Sequence, residues 1–198
     1  AIVSDPHTGR LLAIANSSRI RTKGVSEEVD NARNFALSNI YEPGSVIKPL
    51  LIGRALEKGV VNINEVHNTY NGLYKEDKWQ IKDDHPLTSM TTTEVITHSS
   101  NIGTYNIMKR LGPERLYQTL LDFGFTDKSQ LLGFPGQNHG RIAAWKSWRP
   151  IRFANICFGQ GFYISALELV QGFGAIANGG SLMKPYLLDQ IVSPEGGM

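Results

Sequence analysis

From Ser45 to Lys58, apolar residues crowd so closely that no single stripe emerges: Val46, Ile47, Leu50, Leu51, Ile52, Ala55 and Leu56. At about 100° per residue they point almost all round a helix. A helix that is apolar on every side belongs in the middle of a domain, so other elements must wrap around this one. Gly59 is placed to stop it. The helix opens with Ser45 and Lys48, three residues apart, so a hydroxyl and an amine project from the same side of its first turn. Pro49 lies early in the helix, lacks an N–H and deprives a carbonyl of that turn of its usual partner.

Around this segment the chain reads as a mixture of strands and helices. Ala1–Val3 and Leu11–Ala15 flank a turn containing Asp5, Pro6, Thr8 and Gly9, the pattern of a β-hairpin. The polar stretch from Ser17 to Asn34 has no sustained period and is expected to be loop, with a short helix near Asn31–Leu37. Residues 61–86 are polar and aromatic, with a turn at Asn71-Gly72. Thr91 and Glu94 form a capping box that opens a short helix through Thr97. A second helix is expected from Ser99 to Gly112, and a third from Pro113 to Gly124. In residues 165–180, Ser165 and Glu168 form another capping box, with Leu169, Val170, Phe173 and Ile176 as the apolar stripe. Tyr186–Val192 reads as a strand. Strands at both ends with helices between predict an α+β fold, helices packed on an antiparallel sheet.

Composition removes several function classes. The 198 residues carry a net charge of +2 with acids and bases interspersed, so no basic stripe marks a nucleic-acid partner. The single cysteine, Cys157, lies among small and apolar residues and is expected to be a buried hydrophobe. His7, His67, His85, His98 and His139 are scattered, with no pair at metal-ligand spacing, so no metal or other cofactor is expected. No window reaches the length of a membrane span. The chain opens abruptly on AIVSDP, without a signal peptide, as an excised segment would, with any anchor or export signal lying upstream.

The chemistry concentrates at Ser45 and Lys48. A serine hydroxyl attacks poorly until a neighbour takes its proton. A lysine does this when burial or nearby positive charge holds its amine neutral. The apolar helix supplies burial and its N-terminus partial positive charge. On its own, a serine and lysine at this spacing equally describe a helix cap and a solvated cation. Ser99 and Asn101 add a second hydroxyl, able to relay a proton, and an amide able to orient a substrate amide and the lysine. They equally describe a helix N-cap. Gly159 and Gly161 let the backbone lie close to a neighbouring element. His98 and Glu42 read as structural or solvated positions.

In order and spacing, YEPGSVIKP, SSN and GQGFYISALELVQGFGAIANGG resemble the penicillin-binding protein transpeptidases, whose signature includes S-x-x-K and a second serine-containing triplet. The lead-in to Ser45 and the ALEKGVV helix end resemble the monofunctional class B enzymes of division and elongation. The resemblance runs from the opening hairpin to Gly180. It implies a penicillin-binding-protein/β-lactamase-like fold. It also implies a peptidoglycan D,D-transpeptidase in which Ser45 attacks the penultimate D-alanine carbonyl of a stem peptide. Lys48 would be the base, Ser99 would pass the proton to the departing D-alanine, and Asn101 would hold the lysine and the substrate amide. β-Lactams would acylate Ser45. A D,D-carboxypeptidase and a non-catalytic scaffold or sensor are the alternatives. The resemblance further implies an extracytoplasmic location and membrane partners in division or elongation.

One departure stands out. The family's third motif, Lys-Thr-Gly or Lys-Ser-Gly, is absent. His7-Thr8-Gly9 comes nearest but precedes the nucleophile and fits a hairpin turn. The family places the motif on a strand after the helix ending near Gly180. Residues 1–198 are therefore expected to be the N-terminal and central part of the domain, with an incomplete sheet and poor activity alone. A missing oxyanion donor on that strand would cost about 10²–10³ in rate.

Overall fold

The computed structural model describes residues 1–16, 34–126, 133, 136–188 and 190. These fall into two compact units, one built from residues 1–40, 123–140 and 165–198, the other from residues 41–122 and 141–164.

The second unit is organised by the apolar segment. After the short strand β3 (Ile40–Tyr41), Gly44–Ile47 forms a 3-10 turn, and helix α2 (Lys48–Glu57) continues from it. Ile47, Leu50, Leu51, Ile52 and Ala55 are completely buried. Each of the larger side chains contributes roughly 1.5–3 kcal/mol by leaving water. Three helices surround α2: α3 (Thr92–Thr97), α4 (Asn101–Leu111) and α5 (Pro113–Asp122). Two antiparallel ladders accompany them. β4 (Val66–Asn68) pairs with β7 (Ser89–Thr91), and β5 (Leu73–Glu76) pairs with β6 (Trp79–Lys82). Helix α6 (Pro150–Cys157) packs on α4. The Thr91–Glu94 capping box is present as expected.

In the first unit, β1 (Ile2–Ser4) and β2 (Leu11–Ile14) form the predicted hairpin. The Asp5 carboxylate accepts from the His7 N–H and the Thr8 hydroxyl, so His7-Thr8-Gly9 is the hairpin turn. Helix α7 (Ala166–Ala177) packs on β1 and on α1 (Phe35–Ser38). Leu11, Leu37 and Leu167 make the core there, with Ile2 and Ile14 against it.

Several sequence expectations are corrected. Strands are not confined to the chain ends: β4–β7 arise within residues 61–91, where cross-strand aromatic and apolar pairs such as Tyr74–Ile81 outweigh a polar composition. The α4 helix starts at Asn101, not Ser99, because Ser100 is its cap and accepts from the Gly103 N–H. Pro49 falls within the first two residues of α2, where a missing N–H costs little. The α7 stripe is also different. Leu167, Glu168, Gln171, Gly172 and Ala175 face inward, while Phe173 and Ile176 are exposed. The reason is Glu168, whose carboxylate accepts from the N–H groups of Thr126, Gly140 and Ser165 and from the Ser165 hydroxyl. That set of donors turns its face of the helix into the unit. Of the strand expected over Tyr186–Val192, residue 189 and residues 191–192 lie outside the described residues. Tyr186 makes a single bridge to Arg10. The loop expected over Ser17–Asn34 and the start of its short helix likewise fall in residues 17–33, outside the described residues.

Candidate active site

All four predicted site residues lie in the second unit. Ser45 sits in the 3-10 turn ahead of α2 rather than in the α-helix itself. In a 3-10 turn, side chains three apart eclipse one another, so Ser45 and Lys48 still share an edge. Ser45 is exposed and its hydroxyl makes no hydrogen bond among the described residues. Lys48 is the opposite: 1% exposed, and the bulkiest fully buried side chain described.

The Lys48 amine points into the loop between α3 and α4. Nζ lies 2.5 Å from the Ser99 carbonyl oxygen, 2.8 Å from Asn101 Oδ1 and 3.1 Å from Ser99 Oγ. Burial lowers its pKa to about 8, against the opposing pull of Asp83 and then Asp84. The sequence reading expected positive charge nearby to assist; instead the neighbouring charges are negative, and desolvation alone does the lowering. The hydrogen bonds fix what the neutral amine can do. A neutral amine has two N–H donors and one lone pair. The Ser99 carbonyl and Asn101 Oδ1 can only accept, so they take the two donors. The remaining position is a lone pair in the neutral amine, free to accept a proton, and in the protonated amine a third N–H that donates to Ser99 Oγ.

Asn101 is held at both ends of its amide. Oδ1 accepts from Lys48, and Nδ2 donates to the Lys82 carbonyl at 2.8 Å. Ser99 is not the helix cap; that role belongs to Ser100, which leaves the Ser99 side chain for Lys48. Ser99 adopts φ +54°, a left-handed conformation uncommon for a residue with a side chain.

The turn carrying Ser45 is buttressed by the glycine-rich segment. The Gly44 N–H donates to the Gly159 carbonyl at 2.9 Å. A Cβ on Gly159 would come within 2.0 Å of the Gly44 carbonyl oxygen. Close backbone approach therefore requires glycine there. The Gly161 N–H donates to Glu42 at 2.8 Å, which makes Glu42 a tie between the two segments. His98 is bonded to the Thr97 hydroxyl and the Glu94 carbonyl at the end of α3. Cys157 is buried, its thiol pushed well up by burial.

A polar cavity of about 420 Å3 opens at this place. Gly44, Ser45 and Asn101 form one part of its lining. Gln80, Ile81 and Lys82 of β6 and Asp84 of the turn after it form another, and Asn155, Phe158 and Gln160 a third. The β6 wall and Asp83 lie outside the motifs that the sequence singles out. Among the described residues, no cluster of three or more metal-ligating side chains occurs, and no helix is long and apolar enough to cross a membrane.

A buried lysine bonded to a serine–asparagine loop lies beside a cavity lined by an exposed serine. Residues 1–196 match the penicillin binding protein transpeptidase domain model, and the chain belongs to that family. It is 33% identical over 196 residues to the probable peptidoglycan D,D-transpeptidase PenA of Neisseria gonorrhoeae, covering 98% of this chain and 33% of that protein. It is 31% identical to the peptidoglycan D,D-transpeptidase FtsI of Escherichia coli, covering all of this chain and 33% of that one. The chain thus spans about a third of the length of the curated relatives it matches. Among solved structures, penicillin-binding protein 3 of Mycobacterium tuberculosis complexed with ampicillin superposes with a TM-score of 0.87 at 31% identity, over 99% of this chain and 44% of that one. The apo transpeptidase domain of Burkholderia pseudomallei penicillin-binding protein 3 gives 0.83 at 32% identity, over 96% and 53%. The fold is therefore the expected one, mixed helix and small antiparallel sheets.

Proposed function

We propose that this chain carries the acylation machinery of a peptidoglycan D,D-transpeptidase and is a target of β-lactams. Ser45 is the nucleophile, attacking the penultimate D-alanine carbonyl of a stem peptide or the carbonyl of a β-lactam. Lys48 is the base. Its neutral amine takes the Ser45 proton once substrate draws the exposed hydroxyl toward it, catalytic hydrogen bonds often tightening only in the complex. Ser99, bonded to Nζ, passes that proton to the leaving D-alanine nitrogen. The serine–carbonyl bond forms as the amide C–N bond breaks, giving an acyl-enzyme and free D-alanine. An acceptor amine of a second stem peptide then displaces Ser45 and completes the cross-link. Asn101 fixes the lysine and orients the substrate amide.

The observation that carries this reading is the placement of one buried amine against Ser99 and Asn101, two of the residues picked out by motif. Residues 1–198 are read as the N-terminal and central part of the domain. Because the Lys-Thr-Gly motif is absent from them, they acylate slowly by themselves. A peptidoglycan substrate supports an extracytoplasmic location, and the resemblance to the class B enzymes supports division or elongation membrane proteins as partners. Fluorescent penicillin tests the reading: covalent label should appear and be lost in Ser45→Ala. Equal labelling of Ser45→Ala would remove Ser45 from the role.

A further inference from the structure

We propose that Asp83 is a positioning residue for the acylation step, holding the Ser99–Asn101 loop in the one conformation that presents it to Lys48. The inference rests on the function proposed above and extends it to a residue outside the sequence motifs.

The geometry is specific. One Asp83 oxygen accepts from the Ser100 hydroxyl at 2.6 Å. The other accepts from the backbone N–H groups of Asn101 at 2.6 Å and Ile102 at 3.0 Å. Three consecutive residues are thereby pinned to the end of β6. The preceding residue, Lys82, adds its carbonyl as acceptor for the Asn101 amide. A carboxylate bonded to N–H groups at the start of an 11-residue helix is doubly favoured, by hydrogen bonding and by the helix dipole.

This grip matters because Ser99 cannot hold itself. Its φ of +54° is uncommon for a residue bearing a side chain, and such conformations persist only when the surroundings over-determine them. That conformation turns both its carbonyl and its hydroxyl toward one amine. Ser99 is exposed, so packing does not hold it. The Ser100 N–H bond to the Val95 carbonyl fixes the loop on the α3 side, and Asp83 fixes it on the α4 side.

Asp83 also acts on Lys48 through charge. Among the described residues, the charged groups that influence Lys48 are Asp83 and Asp84; none comes from α3, α4 or α5 packed against α2. Both carboxylates favour the protonated amine. Removing the Asp83 charge must therefore move the Lys48 midpoint to lower pH.

Two substitutions separate these effects. Asp83→Asn keeps a carbonyl oxygen for the two N–H groups and loses the charge. Asp83→Ala loses both. Lys48 is followed by lysine side-chain carbon NMR against pH, a readout independent of acylation, and Ser45 by the rate of penicillin labelling. Folding of each variant is checked by circular dichroism. The expected result is a Lys48 midpoint lower than wild type in both variants. At saturating pH, labelling should fall about tenfold or more in Asp83→Ala and stay within about threefold in Asp83→Asn. If Ser45 never labels but the midpoint still moves, the transpeptidase reading fails and the link from Asp83 to Lys48 stands. The proposal is overturned if folded Asp83→Ala labels Ser45 within about threefold of the wild-type rate at saturating pH or, should Ser45 never label, keeps the wild-type Lys48 midpoint.

Discussion

At Lys48, a single side chain carries opposing demands. Burial destabilises its charge, and the three bonds to Ser99 and Asn101 compensate. Its pKa in the folded chain is lowered from 10.5 to about 8. In the unfolded chain the amine is protonated up to its ordinary value. Between the two, the unfolded state binds more protons, so stability rises as pH rises through that window. Urea unfolding near pH 7 and near pH 10 should show wild type gaining on Lys48→Met by on the order of 2–3 kcal/mol. The labelling rate at Ser45 should rise over the same range with a midpoint near 8, since only the neutral amine accepts a proton. A rate flat from pH 6 to 10 would exclude Lys48 as the base.

Elements place these side chains through two kinds of backbone device. One is close approach. The turn bearing Ser45 lies against Gly159 so tightly that a methyl group does not fit. Gly159→Ala should lower the labelling rate by about tenfold or more and lower the thermal midpoint as well, because both a clash and a φ of +84° oppose alanine. The other device is the capping box. In α3 it is local, closing only Thr91 on Glu94. In α7 it reaches further, since the buried Glu168 carboxylate also takes the N–H groups of Thr126 and Gly140. Glu168→Ala leaves those groups without their acceptor and should cost about 3 kcal/mol, measured by urea unfolding. The capping motifs were legible because they lie within four residues. The inward face of α7 was not, because the donors that draw Glu168 inward come from residues about 30–40 positions away in sequence.

Across the whole molecule, the apolar segment after Ser45 behaves as its composition requires. Leu51 has no exposure at all, and three helices cover α2. Leu51→Ala should destabilise by roughly 2–5 kcal/mol, read from the urea midpoint at unchanged slope. A shift under about 0.5 kcal/mol would contradict the central placement of α2.

The hairpin, the buried central helix and both capping boxes were legible in the order of residues alone, and the four polar residues of the proposed site through their resemblance to the family's motifs. The hairpin, the helix and the caps are written in local spacing, which the helix and strand periods convert directly into a face. The folded arrangement was needed to show that Ser100 rather than Ser99 caps α4 and that the charges near Lys48 are negative. It also decided that Asp83 anchors the loop and that β6 walls the cavity. Apart from the Ser100 cap, those facts depend on segments about 17 to 50 residues apart meeting in space. Local periodicity carries no information about which distant backbone donors a carboxylate will find.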